Sequence, residues 1–97
     1  MGEKRQEEDY LKAISQSMER VLGKKLNTIS MDMLIKEDLG LNSLDVVDVG
    51  FELEQITGLH VRLRDVFLAQ EAKGLHKAQD VYIKDIVKYL IQLSEKK

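Results

Sequence analysis

The 97 residues carry 15 Lys and Arg against 17 Asp and Glu, a net charge of −2, with no cysteine and no proline. A chain of this length withdraws somewhat more than ~60% of its unfolded surface from water and is expected to fold as one domain, residues 1–97, without staples. The missing cysteine excludes disulfides and thiolate metal sites. The apolar runs fall short of the ~18 to 20 residues that span a bilayer, and the charged segment Met1 to Asp9 lacks the apolar stretch of a signal peptide, so a cytoplasmic protein without a membrane span is expected.

Apolar residues at mostly helical spacing, and no proline, predict an all-α chain. A first helix is expected over residues 7–22. Leu11, Ile14, Met18 and Val21 or Leu22 recur every three or four residues against a polar face of Lys12, Gln16, Glu19 and Arg20, and Gly23 supplies a stop. Residues 24–41 form a long connection. It holds Leu26, Ile29, Met31, Met33, Leu34 and Leu39, too much apolar side chain for an idle loop, so it is expected to pack across the helix ends with a short helical turn near Met31 to Ile35.

The second helix is predicted from Ser43 to Thr57. Asn42 is placed to cap it, Asp45 to reach back to the cap in the manner of a capping box, and Gly58 to end it. Val46, Val49, Leu53 and Ile56 make its buried stripe. Leu44, Val47 and Phe51 fall on an adjoining face beside Asp45, Asp48 and Glu52, and Phe51 either stays partly exposed there or packs inward. Gly50 in mid-helix costs roughly 0.5 to 1 kcal/mol relative to alanine, which implies that something needs room beside it.

Leu59, Val61 and Leu63 alternate with His60, Arg62 and Arg64 and read as an extended linker. A shorter third helix is expected over residues 64–73, with Val66, Phe67 and Leu68 as its apolar patch and Gly74 as its stop. After residues 75–79, Asp80 is expected to cap a last helix over 81–93 whose core stripe is Ile83, Ile86, Val87, Leu90 and Leu93; residues 1–6 and 94–97 are expected to fray. His60 and His76 stand alone, with no nucleophile, base or metal-ligand set around them.

Charge is unevenly spread. Residues 37–56 hold six acids (Glu37, Asp38, Asp45, Asp48, Glu52, Glu54) and no base, whereas residues 1–36 sum to +1 (7 basic, 6 acidic) and residues 57–97 to +3 (8 basic, 5 acidic). An acidic helix argues against nucleic-acid binding and suits steering onto basic protein surfaces, or is a solvated face only.

Ser43 stands at the first turn of that helix, where free N–H groups and the positive end of the dipole favour an anion such as a phosphate ester. The run Glu37-Asp38-Leu39-Gly40-Leu41-Asn42-Ser43-Leu44-Asp45, followed by VVDVGFELE, resembles the attachment motif of acyl carrier proteins, D-L-G-x-D-S-L, with Asn42 in place of the acid before the serine. The resemblance implies an acyl-carrier-like four-helix bundle with a long first loop and a shorter third helix. It also implies a monomeric carrier, not an enzyme, that bears covalent 4′-phosphopantetheine on Ser43 and acyl groups as thioesters. Leu44, Val47 and Phe51, flanked by Asp45, Asp48 and Glu52, would dock partners: a phosphopantetheinyl transferase, an acyl-carrier synthetase, and ketosynthase or acyltransferase enzymes of fatty-acid, lipid or polyketide synthesis. On the same resemblance Gly50 leaves room for a close helix or for an acyl chain. An aminoacyl or peptidyl carrier, and a helical interaction module that is never modified, are the alternatives. Between Val61 and Ile83 lie 21 residues, roughly twice the usual carrier spacing, a length similar to that of the long carriers serving lipid A; the added Phe67, Leu68 and Leu75 would then enlarge an acyl cleft, or the insertion only lengthens the third helix or a surface loop.

Overall fold

Each predicted apolar stripe becomes the inner face of a helix. The computed structural model describes residues 3–26, 29–72 and 80–96, which form α1 (Glu3–Leu22), α2 (Ser43–Thr57), α3 (Leu63–Ala72) and α4 (Ile83–Glu95). Among the described residues there is no strand, only an isolated antiparallel bridge between Leu34 and Tyr82. The chain is all-α, as its periodicity implied.

Ile14 and Met18 of α1, Val49 and Leu53 of α2, and Ile83, Ile86, Val87 and Leu90 of α4 meet in the centre and are closed to solvent. α1 packs on both α2 and α4, and α3 bridges α2 and α4 from the side. Side chains of this size each stabilise the fold by roughly 1.5 to 3 kcal/mol when fully buried. α1 also buries Ala13 and Ser17, outside its predicted stripe. The Ser17 hydroxyl donates to the Ala13 carbonyl one turn back at 2.8 Å, which satisfies it without a partner on another helix.

Three helices have boundaries that differ from the expectation. α1 begins at Glu3 rather than Glu7, taking in residues expected to fray. α4 runs from Ile83 to Glu95 instead of 81–93, and its last turn is tied by the Ser94 hydroxyl donating to the Ile91 carbonyl at 2.7 Å. α3 starts one residue early, at Leu63. Gly74, Leu75 and His76 lie outside the described residues; of the residues expected to enlarge a cleft, Phe67 and Leu68 are described, on α3, and Leu75 is not.

The helical turn predicted near Met31 to Ile35 is cut to one tight turn, in which Met33 N–H donates to Ser30 O at 3.2 Å, because the residues around it pair with the chain leading into α4. Ile35 N–H donates to Val81 O, Ile83 N–H to Met33 O and Lys84 N–H to Met31 O, all within 2.9–3.1 Å. A second turn follows: Asp38 N–H donates to Leu34 O and Gly40 N–H to Lys36 O, both at 3.0 Å. Asp80, expected to cap α4, does something else. Its Oδ1 accepts from the N–H groups of Lys36 and Val81 and its Oδ2 from that of Glu37, each at 2.9 Å. It staples the long loop to the start of the last helix, and α4 instead begins after Tyr82, whose N–H donates to the Asp85 carboxylate at 3.1 Å.

Candidate functional site

The stapled loop delivers the chain to α2 through Gly40, whose φ of +79° lies in the left-handed region that glycine adopts without strain. Leu41 then plugs into the core. With both flanks fixed, the start of α2 is held at one place on the bundle.

Asn42 caps that start. Its backbone is extended, its Oδ1 accepts from Asp45 N–H at 2.8 Å, and Asp45 Oδ2 accepts from Asn42 N–H at 3.1 Å, closing the reciprocal box. The helix ends at Gly58, with φ +73° and its N–H on Glu54 O. Both boundaries match the sequence reading. The cap therefore belongs to Asn42, which leaves the exposed hydroxyl of Ser43, the first helical residue, without that structural task. The cap takes the Asp45 N–H, and the remaining N–H groups of this first turn have the positive end of the helix dipole behind them.

Ser43 stands on the lining of a groove of about 670 Å³ between α2 and the segment from His60 into α3. Val46, Val47, Gly50 and Phe51 form one wall; Val61, Leu63, Phe67 and Leu68 form the other. Charged groups line it as well: Lys36, Arg62 and Arg64, with Glu54 and Asp65 among them. Lys36 Nζ sits 5.1 Å from the Phe67 ring centroid, a cation–π contact between loop and α3. Glu54 Oε1 accepts from Val61 N–H at 3.1 Å, and the Tyr89 hydroxyl accepts from Arg62 N–H at 2.9 Å, so the linker wall is tied to both α2 and α4. Burial holds the Tyr89 phenol above its ordinary pKa, outweighing the opposite pull of the Arg62 N–H. His60 lies 3.5 Å from Glu54 and takes a hydrogen bond from Arg62 Nε, a surface cluster with no catalytic partner.

The outer face of α2 keeps its apolar residues in water: Leu44 is 76% exposed, Val47 56% and Phe51 63%. Phe51 thus does not pack inward. The acids beside them are differently engaged. Asp45 serves the capping box, Asp48 is exposed, and Glu52 is bound at 3.0 Å by Arg20 of α1. That ion pair, and the place of Lys36 on the groove, escaped sequence reading. No group of three or more metal-ligating side chains gathers among the described residues, and none of the described helices is long and apolar enough to cross a membrane.

A curated acyl carrier protein of Rickettsia bellii (strain OSU 85-389) is 38% identical to this chain over 65 residues, 65% of the chain and 73% of that protein. The chain belongs to the acyl carrier protein family. A second acyl carrier protein, from R. bellii strain RML369-C, aligns with 38% identity over 65 residues, 65% of the chain and 69% of the relative. No family model and no solved structure matches. The relatives' name describes a carrier, so the chain is read as a carrier of acyl groups and not as an enzyme. In this carrier, the loop, capped α2 and groove make one continuous arrangement with Ser43 at its edge.

Proposed function

We propose that this carrier bears 4′-phosphopantetheine on Ser43 Oγ and presents acyl groups to the enzymes of a lipid-building route. The observation that carries the reading is the division of labour at α2: Asn42 and Asp45 complete the cap, while the Ser43 hydroxyl stays exposed beside a largely apolar groove.

The residues present suit such a group. The first turn of α2 offers N–H groups and a positive dipole end to a phosphodiester. When bound, the group supplies the thiol on which an acyl chain is held as a thioester. The chain's own residues do the rest: Gly40 and Leu41 fix the approach to Ser43, and the groove walls exclude water from apolar cargo.

Partner enzymes would include the phosphopantetheinyl transferase, an acyl-carrier synthetase, and a ketosynthase or acyltransferase. They would meet Leu44, Val47 and Phe51, which are apolar and exposed, with Asp48 and Glu52 steering basic surfaces towards them. Asp45 contributes its charge from within the capping box.

Intact-mass measurement after coexpression with a broad-specificity phosphopantetheinyl transferase tests the assignment. One added phosphopantetheine is expected in the native chain and none in Ser43→Ala. Addition to Ser43→Ala, or none to the native chain, would overturn it.

A further inference from the structure

At Gly50 helix propensity and surroundings disagree. The residue is buried in the middle of α2, where glycine weakens a helix relative to alanine. A buried helical glycine is ordinarily explained by a left-handed backbone or by a neighbour that leaves no space. Gly50 is not among the glycines with positive φ, which are Gly23, Gly40 and Gly58. A Cβ built on it would come no nearer than 3.9 Å to Leu63 Cγ and to the Val61 carbonyl oxygen, which is ordinary van der Waals contact. The bundle therefore has room for a methyl group that the sequence withholds, and helix packing does not account for the glycine.

The space left open belongs to the groove. Gly50 lines it one turn beyond Val46, facing Leu63, and Ser43 lines the same groove about two turns earlier on the same helix. A linear apolar chain tethered near Ser43 and lying between the two walls passes Gly50.

We infer that Gly50 sets the depth of the groove that shelters the acyl chain, so the residue at this position decides how long or bulky a chain the carrier accommodates. The inference rests on the attachment proposed for Ser43. The occupant is the carrier's own acyl chain, because the tether and the apolar walls share one groove. Helix stability is the quantity given up for that depth.

The test compares the native chain with Gly50→Ala and Gly50→Leu, unmodified and loaded with butanoyl, octanoyl, dodecanoyl and hexadecanoyl groups. In the unmodified protein Gly50→Ala should raise Tm by roughly 4 to 8 °C, since a better helix former enters without a clash. In the loaded native chain Tm should rise with acyl length, as burial of each added methylene stabilises the folded state. Gly50→Ala should shrink that rise and Gly50→Leu should abolish it beyond butanoyl. A separate arm titrates dodecanoyl pantetheine, unattached, into the unmodified proteins, where Gly50→Leu should weaken binding tenfold or more. This arm reads the groove even if intact mass shows Ser43 unloaded, so failure of the attachment and failure of the inference are distinct results. An acyl-length dependence or a free-ligand affinity that is the same in native, Gly50→Ala and Gly50→Leu proteins would overturn the role of Gly50. So would a native chain that gains no stability from longer acyl groups and binds no free ligand, in which case the groove receives a partner's side chain instead.

Discussion

Replacing Asp80 by alanine removes one carboxylate and, with it, three backbone hydrogen bonds. Lys36 and Val81 lose their shared acceptor, Oδ1, and Glu37 loses Oδ2, all at 2.9 Å in the native chain. A hydrogen bond to a charged group contributes about 1.5 to 3 kcal/mol, but these share one acceptor group and the Glu37 bond is exposed, so water replaces it at little cost. Counting the two part-buried bonds at the lower end gives a loss of about 3 kcal/mol. For a chain of this size that lowers Tm by roughly 12 to 24 °C. Asp80→Asn keeps a carbonyl oxygen in place of Oδ1 but takes away its charge, and a hydrogen bond to a neutral acceptor is worth about half of one to a charged acceptor, so about half the loss is expected. Urea denaturation followed by circular dichroism measures both, with an unchanged m-value showing that the unfolded surface is the same. A loss below about 1 kcal/mol for Asp80→Ala would refute the reasoning, because it would mean that Ile35, Leu41 and the backbone bonds to α4 hold the loop alone.

Asn42→Ala should cost about 1 kcal/mol of stability, read by thermal melting, since Asp45 N–H loses its acceptor while Ser43 remains exposed. Reversing Asp48 and Glu52 to lysine should slow acyl transfer with a basic partner enzyme, with the loss shrinking at high salt in a stopped-flow or transfer assay. Arg20→Ala should act the other way, raising the low-salt association rate by releasing Glu52, with a stability change within about 1 kcal/mol because the pair is exposed. The raised pKa of Tyr89 means that the folded state holds the phenolic proton more tightly than the unfolded state. Its contribution is therefore complete below the ordinary value of 10.0 and is lost as pH rises through the folded value; Tyr89→Phe should flatten the alkaline fall in stability measured by denaturation at a series of pH values.

α2 was legible residue for residue because its boundaries are local chemistry: Asn42, Asp45 and Gly58 act on groups within four positions of themselves. Ser43 is singled out by motif alone, and the structure adds that the cap does not need it. Asp80 was misread for the opposite reason. An aspartate just ahead of an apolar-periodic segment looks like a cap, but the amides of Lys36 and Glu37 lie 44 and 43 positions away and outcompete the nearer helix. The turn before Gly40 follows from the same staple. Arg20 and Glu52 carry no local signal for a pair spanning 32 positions. Phe51 was undecided because α2 offers apolar residues on more than one face, and only the positions of α1, α3 and α4 choose which is covered. The alternation of Leu59, Val61 and Leu63 was readable as a linker because no second strand offered it partners; all three are buried.

The junction of residues 33–35 with residues 81–83 also orders the folding of the carrier. Its backbone bonds close a loop of more than forty residues, whereas the walls of the groove are joined across the short turn from α2 to α3. Closing a long loop costs more chain entropy and comes later than local helix pairing. α2 and α3 are thus expected to associate first, and the approach to Ser43 to set only when α4 docks and Asp80 finds the Lys36 and Glu37 amides. A protease that cuts after Lys36 and one that cuts after Lys84 would then gain access through a single reversible detachment of α4, at matching rates, while the α2–α3 pair stays closed.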